Sequence, residues 1–411
     1  RGGATAGTIF VTPSDPAREV WSGARVGLDG ARRRTGLAAR PSAELPAVLD
    51  SLAALGLPFH VVGDVETATA RGEGVRTRDE QRVDALRRAH PGLRVAPATH
   101  LVAELRGRRS AAEMALLRRA AAITVRAHAE AMRLVAPGLN EFEVQALIEY
   151  TFRRNGADRP GFASIVGSGP NATTLHYNAN DRVMRAGEVV VIDVGASYGG
   201  YSADVTRTLP VSGRFTPEQR AVYQVVRDAQ AAAQSAAGPG ARGAAVSDSA
   251  RATIARGLAR LGLTEGERAT YDCAPPSERQ CPQWQLFYMH GLGHGIGLDV
   301  HDPDVTVPSG VVTAGSAFTL EPGVYVRERL LDLVPDSPRN RRMRAAIAPA
   351  VRRLANVGVR IEDDYLVTDA GVEWISRGPR EADEIEAAMR VPFTGGAPRD
   401  PALVEAYRRM D

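Results

Sequence analysis

Residues 189–209 read VVVIDVGASYGGYSADVTRTL. The run 189–194 is a strongly apolar strand interrupted by one carboxylate, Asp193. A turn follows at Tyr198-Gly199-Gly200, and a second strand carries Asp204. With Tyr198-Gly199 as a two-residue loop, Ser197 faces Gly200 and Asp193 faces Asp204. Directly opposed side chains have Cβ atoms about 4.5–5.5 Å apart. Two like charges at that distance in an apolar setting destabilise a hairpin unless a cation sits between them. The alternative is that one Asp is a turn residue or pairs with Arg207.

A second stretch, MHGLGHGIGLDVHD at 289–302, holds His290, His294 and His301, three of the chain's eight histidines. Glycines at 291, 293, 295 and 297 argue against a regular helix and let the backbone approach closely. The spacing fits neither GxGxxG nor the P-loop pattern. Two more carboxylates sit in apolar surroundings: Glu321 in TLEPG and Glu362 in VRIEDD. Either one alone reads as a solvated strand-end glutamate. Together Asp193, Asp204, His294, Glu321 and Glu362 make four carboxylates and one imidazole, enough to neutralise two divalent ions. Mostly oxygen donors plus one nitrogen suit Mn²⁺, Co²⁺ or Zn²⁺ rather than a thiolate-selected metal, and Mn²⁺ is the expected one. Two such ions about 3.5–4 Å apart share a water, lower its pKa and polarise a carbonyl, which is hydrolase chemistry.

Outward from these stretches the chain divides at ELRGRRS, residues 104–110. Residues 1–107 alternate short strands (8–12, 59–65) with helical stretches such as 43–55, an α/β layer without clustered metal ligands. Residues 108–411 carry long amphipathic helices at 111–135, 141–154, 217–237 and 246–261. Asn140 is an N-cap with Glu143 three residues on. Strands dominate 163–209, and 286–376 is strand and loop with a charged helical insert at 339–355. The fold class is therefore mixed α/β (α+β): a small N-terminal α/β domain and a larger C-terminal catalytic domain.

The composition is that of a globular protein, with 44% hydrophobic and 24% charged residues. All 51 basic residues are arginine, against 48 acidic ones. No face or tail concentrates them, and aromatics do not interleave with them, so nucleic acid is not an expected partner. No apolar run approaches the roughly 20 residues that span a bilayer, so no membrane is expected either. Cys273 and Cys281, the only cysteines, suggest neither a zinc site nor a disulfide framework, and the expected location is cytoplasmic. The chain opens on Arg1 rather than Met, which leaves a removed leader open.

The motifs LHY at 175–177, IDVGASYGGYSADVTRT at 192–208, HGLGHGIGLDVHD at 290–302, LEPG at 320–323 and RIED at 360–363 resemble the pita-bread metallopeptidases. That family includes methionine aminopeptidase, aminopeptidase P and prolidase. Residues 15–27, DPAREVWSGARVG, resemble the N-terminal domain of the latter two, which argues against methionine aminopeptidase. The resemblance implies a C-terminal pita-bread domain, a homodimer and a proline-containing peptide as substrate. It implies that Asp193 holds one metal, that Asp204 and Glu362 bridge both, and that His294 and Glu321 complete the second. Glu321 would also take the proton of the bridging water. His176 and His301 match histidines that contact substrate, His290 one lining the pocket, and Arg360 one organising the substrate's carboxyl side. Phe162 would form an apolar wall near the pocket or, alternatively, serve the core.

The subtype signals divide. The long insert between Glu321 and Glu362 resembles that of prolidases and favours an Xaa-Pro dipeptidase. Against this, residues 302–320 contain no arginine, so Arg360 or an arginine of the 327–353 insert would have to bind a dipeptide's carboxylate. DPxxEVWxG leans towards aminopeptidase P, the alternative. Two further readings are a non-catalytic pita-bread binding module and a small-molecule lyase or hydrolase on the same scaffold.

Overall fold

The computed structural model describes residues 7–62, 77–273, 279–303 and 310–395. The chain forms two compact units, Arg1–Val102 and Ala103–Asp411. In the first, strands Thr8–Val11 and Ala38–Pro41 pair in parallel across helix Gly27–Thr35. A second parallel pair, Phe59–Val61 with Val95–Pro97, flanks helix Arg78–Ala89. Helix Leu45–Ala54 lies where residues 43–55 predict it. The expected strand 59–65 ends at Val61, and residues 63–65 lie outside the described residues.

The second unit holds the long helices Ala111–Leu134, Glu141–Arg154, Pro217–Ala236, Gly243–Leu261 and Pro338–Arg353. Asn140 caps the second of these through a capping box with Glu143. The strand Val189–Val194 is buried along its whole length and lies between Val205–Pro210 and Ile165–Ser168 in an antiparallel sheet. Its apolar side chains join the main core, as a near-continuous hydrophobic run should when both faces are covered.

The hairpin register differs from the expected one by two residues. Val194 pairs with Val205, Asp193 with Thr206, and Ser197 with Ser202. The two-residue loop is Gly199-Gly200, both at positive φ (58° and 85°), which tight hairpin turns demand and glycine supplies. A slip of two keeps every side chain on its face. Asp193 and Asp204 thus remain on one side, as diagonal rather than opposed neighbours. Gly195 takes the position facing Asp204, where a Cβ would lie 1.7 Å from the Ala203 carbonyl oxygen.

A second interrupted hairpin supplies the other two carboxylates. Ala317–Leu320 pairs with Asp363–Thr368, and Gly323–Val326 with Val357–Arg360. The register is continuous across the gap, Leu320 opposite Asp363 and Gly323 opposite Arg360, so Glu321 stands opposite Glu362. Pro322 has no N–H to continue the ladder there. The Glu362 N–H turns instead to the Thr206 carbonyl at 3.0 Å, joining the two hairpins.

Helix Ala111–Leu134 satisfies backbone groups where the first hairpin's ladder breaks. Thr124 Oγ1 accepts from the Ala196 N–H at 2.9 Å, and His128 Nε2 lies 2.9 Å from the Val205 carbonyl. His128 is fully buried. Desolvation, helped by the nearby Arg207 charge, pushes its pKa down to about 4. A histidine with a depressed native pKa contributes stability that is complete above about 6.5 and is lost as pH falls towards 4. Over that window His128 is expected to cost about 3 kcal/mol. Melting curves of the metal-saturated protein from pH 7 to 4.5 should therefore fall less steeply for His128→Gln than for wild type. Parallel curves would contradict the assignment.

Cys273 and Cys281 form a disulfide, with Cα atoms 5.6 Å apart. This corrects the expectation of unpaired cysteines and removes one ground for a cytoplasmic location. Their spacing of eight closes across the antiparallel strands Thr270–Asp272 and Gln280–Pro282, a pairing that composition did not signal. No helix among the described residues is long and apolar enough to cross a membrane.

Candidate metal centre

The two hairpins bring Asp193, Asp204, Glu321 and Glu362 to the wall of one cavity of about 450 Å³, with His294 beside them. The histidine stretch runs without helix among its described residues, as its glycines predict. Its backbone pairs with the Glu321 strand: the Thr319 N–H donates to the His294 carbonyl and the Glu321 N–H to the Leu292 carbonyl. Gly293 permits this, since a Cβ there would lie 2.0 Å from the Thr319 carbonyl oxygen.

His294 Nε2 is 3.4 Å from Asp204 Oδ2, 3.6 Å from Glu321 Oε1 and 3.8 Å from Glu362 Oε1. These separations are long for hydrogen bonds. They suit donors that share an ion at about 2.0–2.2 Å from each. Asp204, His294 and Glu362 offer ligand atoms all within 4.8 Å of one another. Asp193 Oδ1, Asp204 Oδ1 and Glu362 Oε1 are buried and, among the described residues, receive no N–H or O–H.

Electrostatics decide what those orphaned oxygens need. Two carboxylates about 4 Å apart at an effective dielectric near 20 repel by about 4 kcal/mol, a large part of a domain's stability. Without a cation the cluster retains protons instead. Burial, with Glu362 and Asp193 nearby, raises Asp204 well above the carboxylate range. Burial, with Glu321 and Asp193, does the same to Glu362. Burial pushes Glu321 up to about 8, Asp193 adding to the rise and Arg360 opposing it. His294, pushed down to about 4 by desolvation and His301, is neutral, the form in which imidazole binds a metal. The donor set therefore fits divalent cations.

The surrounding groups hold the candidate ligands in place. Thr206 Oγ1 donates to Glu362 Oε2 at 2.8 Å, and the Asp204 N–H reaches the Asp364 carboxylate at 3.2 Å. Arg360 donates to Asp193 Oδ2 at 2.6 Å, Tyr325 Oη at 3.0 Å, Thr206 Oγ1 at 3.2 Å and the Leu175 carbonyl at 3.3 Å. Most of its N–H groups thus face inward, onto a metal-ligand candidate rather than outward to a substrate carboxylate. His290 Nδ1 lies 2.8 Å from the Gly291 carbonyl and Nε2 2.8 Å from Tyr325 Oη. That network puts the His290 proton on Nδ1 and lets Nε2 accept from Tyr325. Burial, then the Arg360 charge, keeps the ring neutral with a pKa of about 4.

Arg207 pairs with neither hairpin aspartate. It lies on the other face of its strand, where Nη2 donates to Asp363 Oδ1 at 2.8 Å and Nη1 to the Glu362 carbonyl at 2.7 Å. Arg380 closes on Asp363 Oδ2 at 3.1 Å. His176, His301 and Phe162 line the cavity as well, and the His301 and His294 rings are 4.2 Å apart. Tyr325, Thr206 and Asp364 went unread in the sequence. Tyr325 alone had a signal, an aromatic with a polar tip in the strand directly after Glu321-Pro322.

A cavity walled by paired buried carboxylates, a neutral histidine ligand and further histidines defines a metal-dependent hydrolase. Residues 115–369 match metallopeptidase family M24, and residues 3–57 match the aminopeptidase P N-terminal domain. The Xaa-Pro aminopeptidase of Escherichia coli is 33% identical over 93% of this chain and 81% of its own length. Human Xaa-Pro dipeptidase is 32% identical over 69% of this chain and 61% of its own. Among solved structures, Pseudomonas aeruginosa aminopeptidase PepP superposes with a TM-score of 0.75 and 31% identity, covering 93% of this chain and 82% of that one. The chain belongs to metallopeptidase family M24, in the pita-bread group of Xaa-Pro peptidases, and carries an aminopeptidase P N-terminal domain.

Proposed function

We propose that the protein is an aminopeptidase P, releasing the N-terminal residue from peptides with proline in second position. This reverses the preference for a dipeptidase drawn from the insert. The observation that carries it is the extent of likeness: the Escherichia coli and Haemophilus influenzae aminopeptidases match over 93% of the chain and the human dipeptidase over 69%. The insert also supports it. Arg339 donates to the Thr270 carbonyl, Arg341 pairs with Asp336, and Arg353 donates to the Leu261 carbonyl. None of the insert's arginines lines the cavity, where Arg360 is the one arginine among the described residues. A dipeptide's free carboxylate would find no unengaged cation there, whereas a longer peptide needs none.

Asp193, Asp204, His294, Glu321 and Glu362 would hold two divalent ions, with Mn²⁺ the metal proposed. Bound there, the ions would polarise the scissile carbonyl and supply a water of lowered pKa. Glu321 would accept that water's proton. His176 and His301 would donate to the substrate as the bond breaks, and Phe162 would wall the proline ring. Proline has no amide hydrogen, so an apolar wall leaves no donor unsatisfied.

The test is product analysis with Mn²⁺-restored protein on Ala-Pro-Ala and Ala-Ala-Ala. Release of alanine from the first and none from the second supports the reading. Equal cleavage of both would overturn it.

A further inference from the structure

The first turn of helix Glu141–Arg154 carries a carboxylate that the chemistry above does not use. Glu141 is fully buried. Its Oε1 accepts from the Ser168 N–H at 2.7 Å, Ser168 Oγ at 2.7 Å and Asn171 Nδ2 at 3.3 Å. Its Oε2 accepts from Tyr177 Oη at 2.9 Å and the Arg182 N–H at 3.0 Å. Burying a carboxylate costs several kcal/mol unless its lone pairs are met, and here five donors meet them.

Those donors are spread along one loop, residues 168–182, which wraps around the carboxylate. Two further bonds reinforce the grip, the Glu141 N–H donating to the Arg182 carbonyl at 3.0 Å and the Asn140 side-chain Nδ2 to the Asp181 carbonyl at 2.8 Å. Leu175, His176 and Asn178 of this loop line the cavity. His176 sits between two anchors: the Leu175 carbonyl receives Arg360, and the Tyr177 hydroxyl reaches Glu141. Between Ser168 and Val189 the loop has no strand or α-helix, only the 3₁₀ turn Gly169–Thr173; Asn180 and the Arg182–Glu188 pair anchor it too, but both lie further along the chain from His176 than Tyr177 does.

We propose that Glu141 is a positioning residue for Xaa-Pro cleavage, holding His176 in place by gathering the 168–182 loop around one buried carboxylate. The proposal rests on the reading of His176 as a substrate-contacting group. Glu141→Gln keeps one acceptor oxygen but turns an NH₂ towards N–H and O–H donors. The loop would then shift, and displacement of a reacting group by an ångström can cost up to about 10²-fold in rate.

The experiment is a double-mutant cycle on kcat for Ala-Pro-Ala, with metal content and Tm measured for each variant. Glu141→Gln should lower kcat about tenfold in the wild-type background with metal content unchanged. In a His176→Ala background it should lower kcat less than about twofold, because the group it acts through is gone. An equal factor in both backgrounds would mean a merely structural role and overturn the proposal. Should Glu141→Gln not fold, Tyr177→Phe, which deletes one donor, runs through the same cycle with the same criterion. His176→Ala with undiminished kcat would overturn the proposal through His176. A metal-loaded wild type that leaves Ala-Pro-Ala intact would overturn the aminopeptidase reading and this proposal with it, a failure visible before any variant is made.

Discussion

Asp204→Asn is expected to lose bound metal and to cleave Ala-Pro-Ala at least about 10³-fold more slowly than wild type, the equivalent of about 4 kcal/mol of barrier. Asp204 is nearly fully buried, its N–H is held by Asp364, and Oδ1 has no donor while Oδ2 lies 3.4 Å from His294. An amide of the same shape preserves packing but removes a charge and directs an NH₂ at an electropositive site. The signature that separates this from unfolding lies in the metal-free state. There Asp204 must hold a proton or repel Glu362 and Asp193, and a neutral amide of the same shape avoids both, so the variant should melt no lower than metal-free wild type. Wild type should lose about 2.7 kcal/mol on chelation from a metal concentration 100-fold above Kd, and the variant almost nothing. Metal analysis and paired melting curves check both halves. Full metal content with near-normal turnover in Asp204→Asn would contradict the site.

Arg360→Lys is the second large effect. The ammonium keeps the charge but cannot reproduce a planar fork bonded to Asp193, Tyr325, Thr206 and the Leu175 carbonyl at once. Asp193 would rotate, and Tyr325 would lose the donor that orients its proton towards His290. We expect kcat/KM to fall about 10²-fold, and stability to fall by about 2–3 kcal/mol as buried acceptors lose partners. Tyr325→Phe, which leaves the Asp193 contact intact, should cost much less. Steady-state kinetics and urea denaturation read both changes. A lysine variant within twofold of wild type would show that Asp193 needs no such support.

The candidate metal site was legible because its carboxylates stand in apolar surroundings, a pattern that costs too much to persist without a reason. Val189–Val194 around Asp193 is the plainest case, and the glycine-spaced histidines of 290–301 another. The helices were legible from periodicity and caps, as Asn140 with Glu143 illustrates. The hairpin register was not, because Tyr198-Gly199 and Gly199-Gly200 both make acceptable two-residue turns. The choice is settled by φ at Gly200 and by the close approach at Gly195, which only coordinates reveal. Nor was the continuous register that sets Glu321 against Glu362, since forty residues separate them in the chain. Arg207 read only as a possible partner for a hairpin aspartate, and nothing in the sequence joined it to Asp363 and Arg380, although burial makes the three an ion cluster behind the candidate ligands. Glu141 read only as the first residue of a helix, and its five donors come from a loop whose path no periodicity encodes. The insert's length gave no hint that Arg339 and Arg353 bond to the Thr270 and Leu261 carbonyls, and none of its arginines lines the cavity.

The most direct test of the account is the ratio of kcat/KM for Ala-Pro-Ala over Ala-Pro, measured on protein stripped of metal and restored with Mn²⁺. The account predicts no activity before restoration and a clear preference for the tripeptide after it, because among the described residues no unengaged arginine lines the cavity to hold a dipeptide's carboxylate. Cleavage confined to the dipeptide would contradict it.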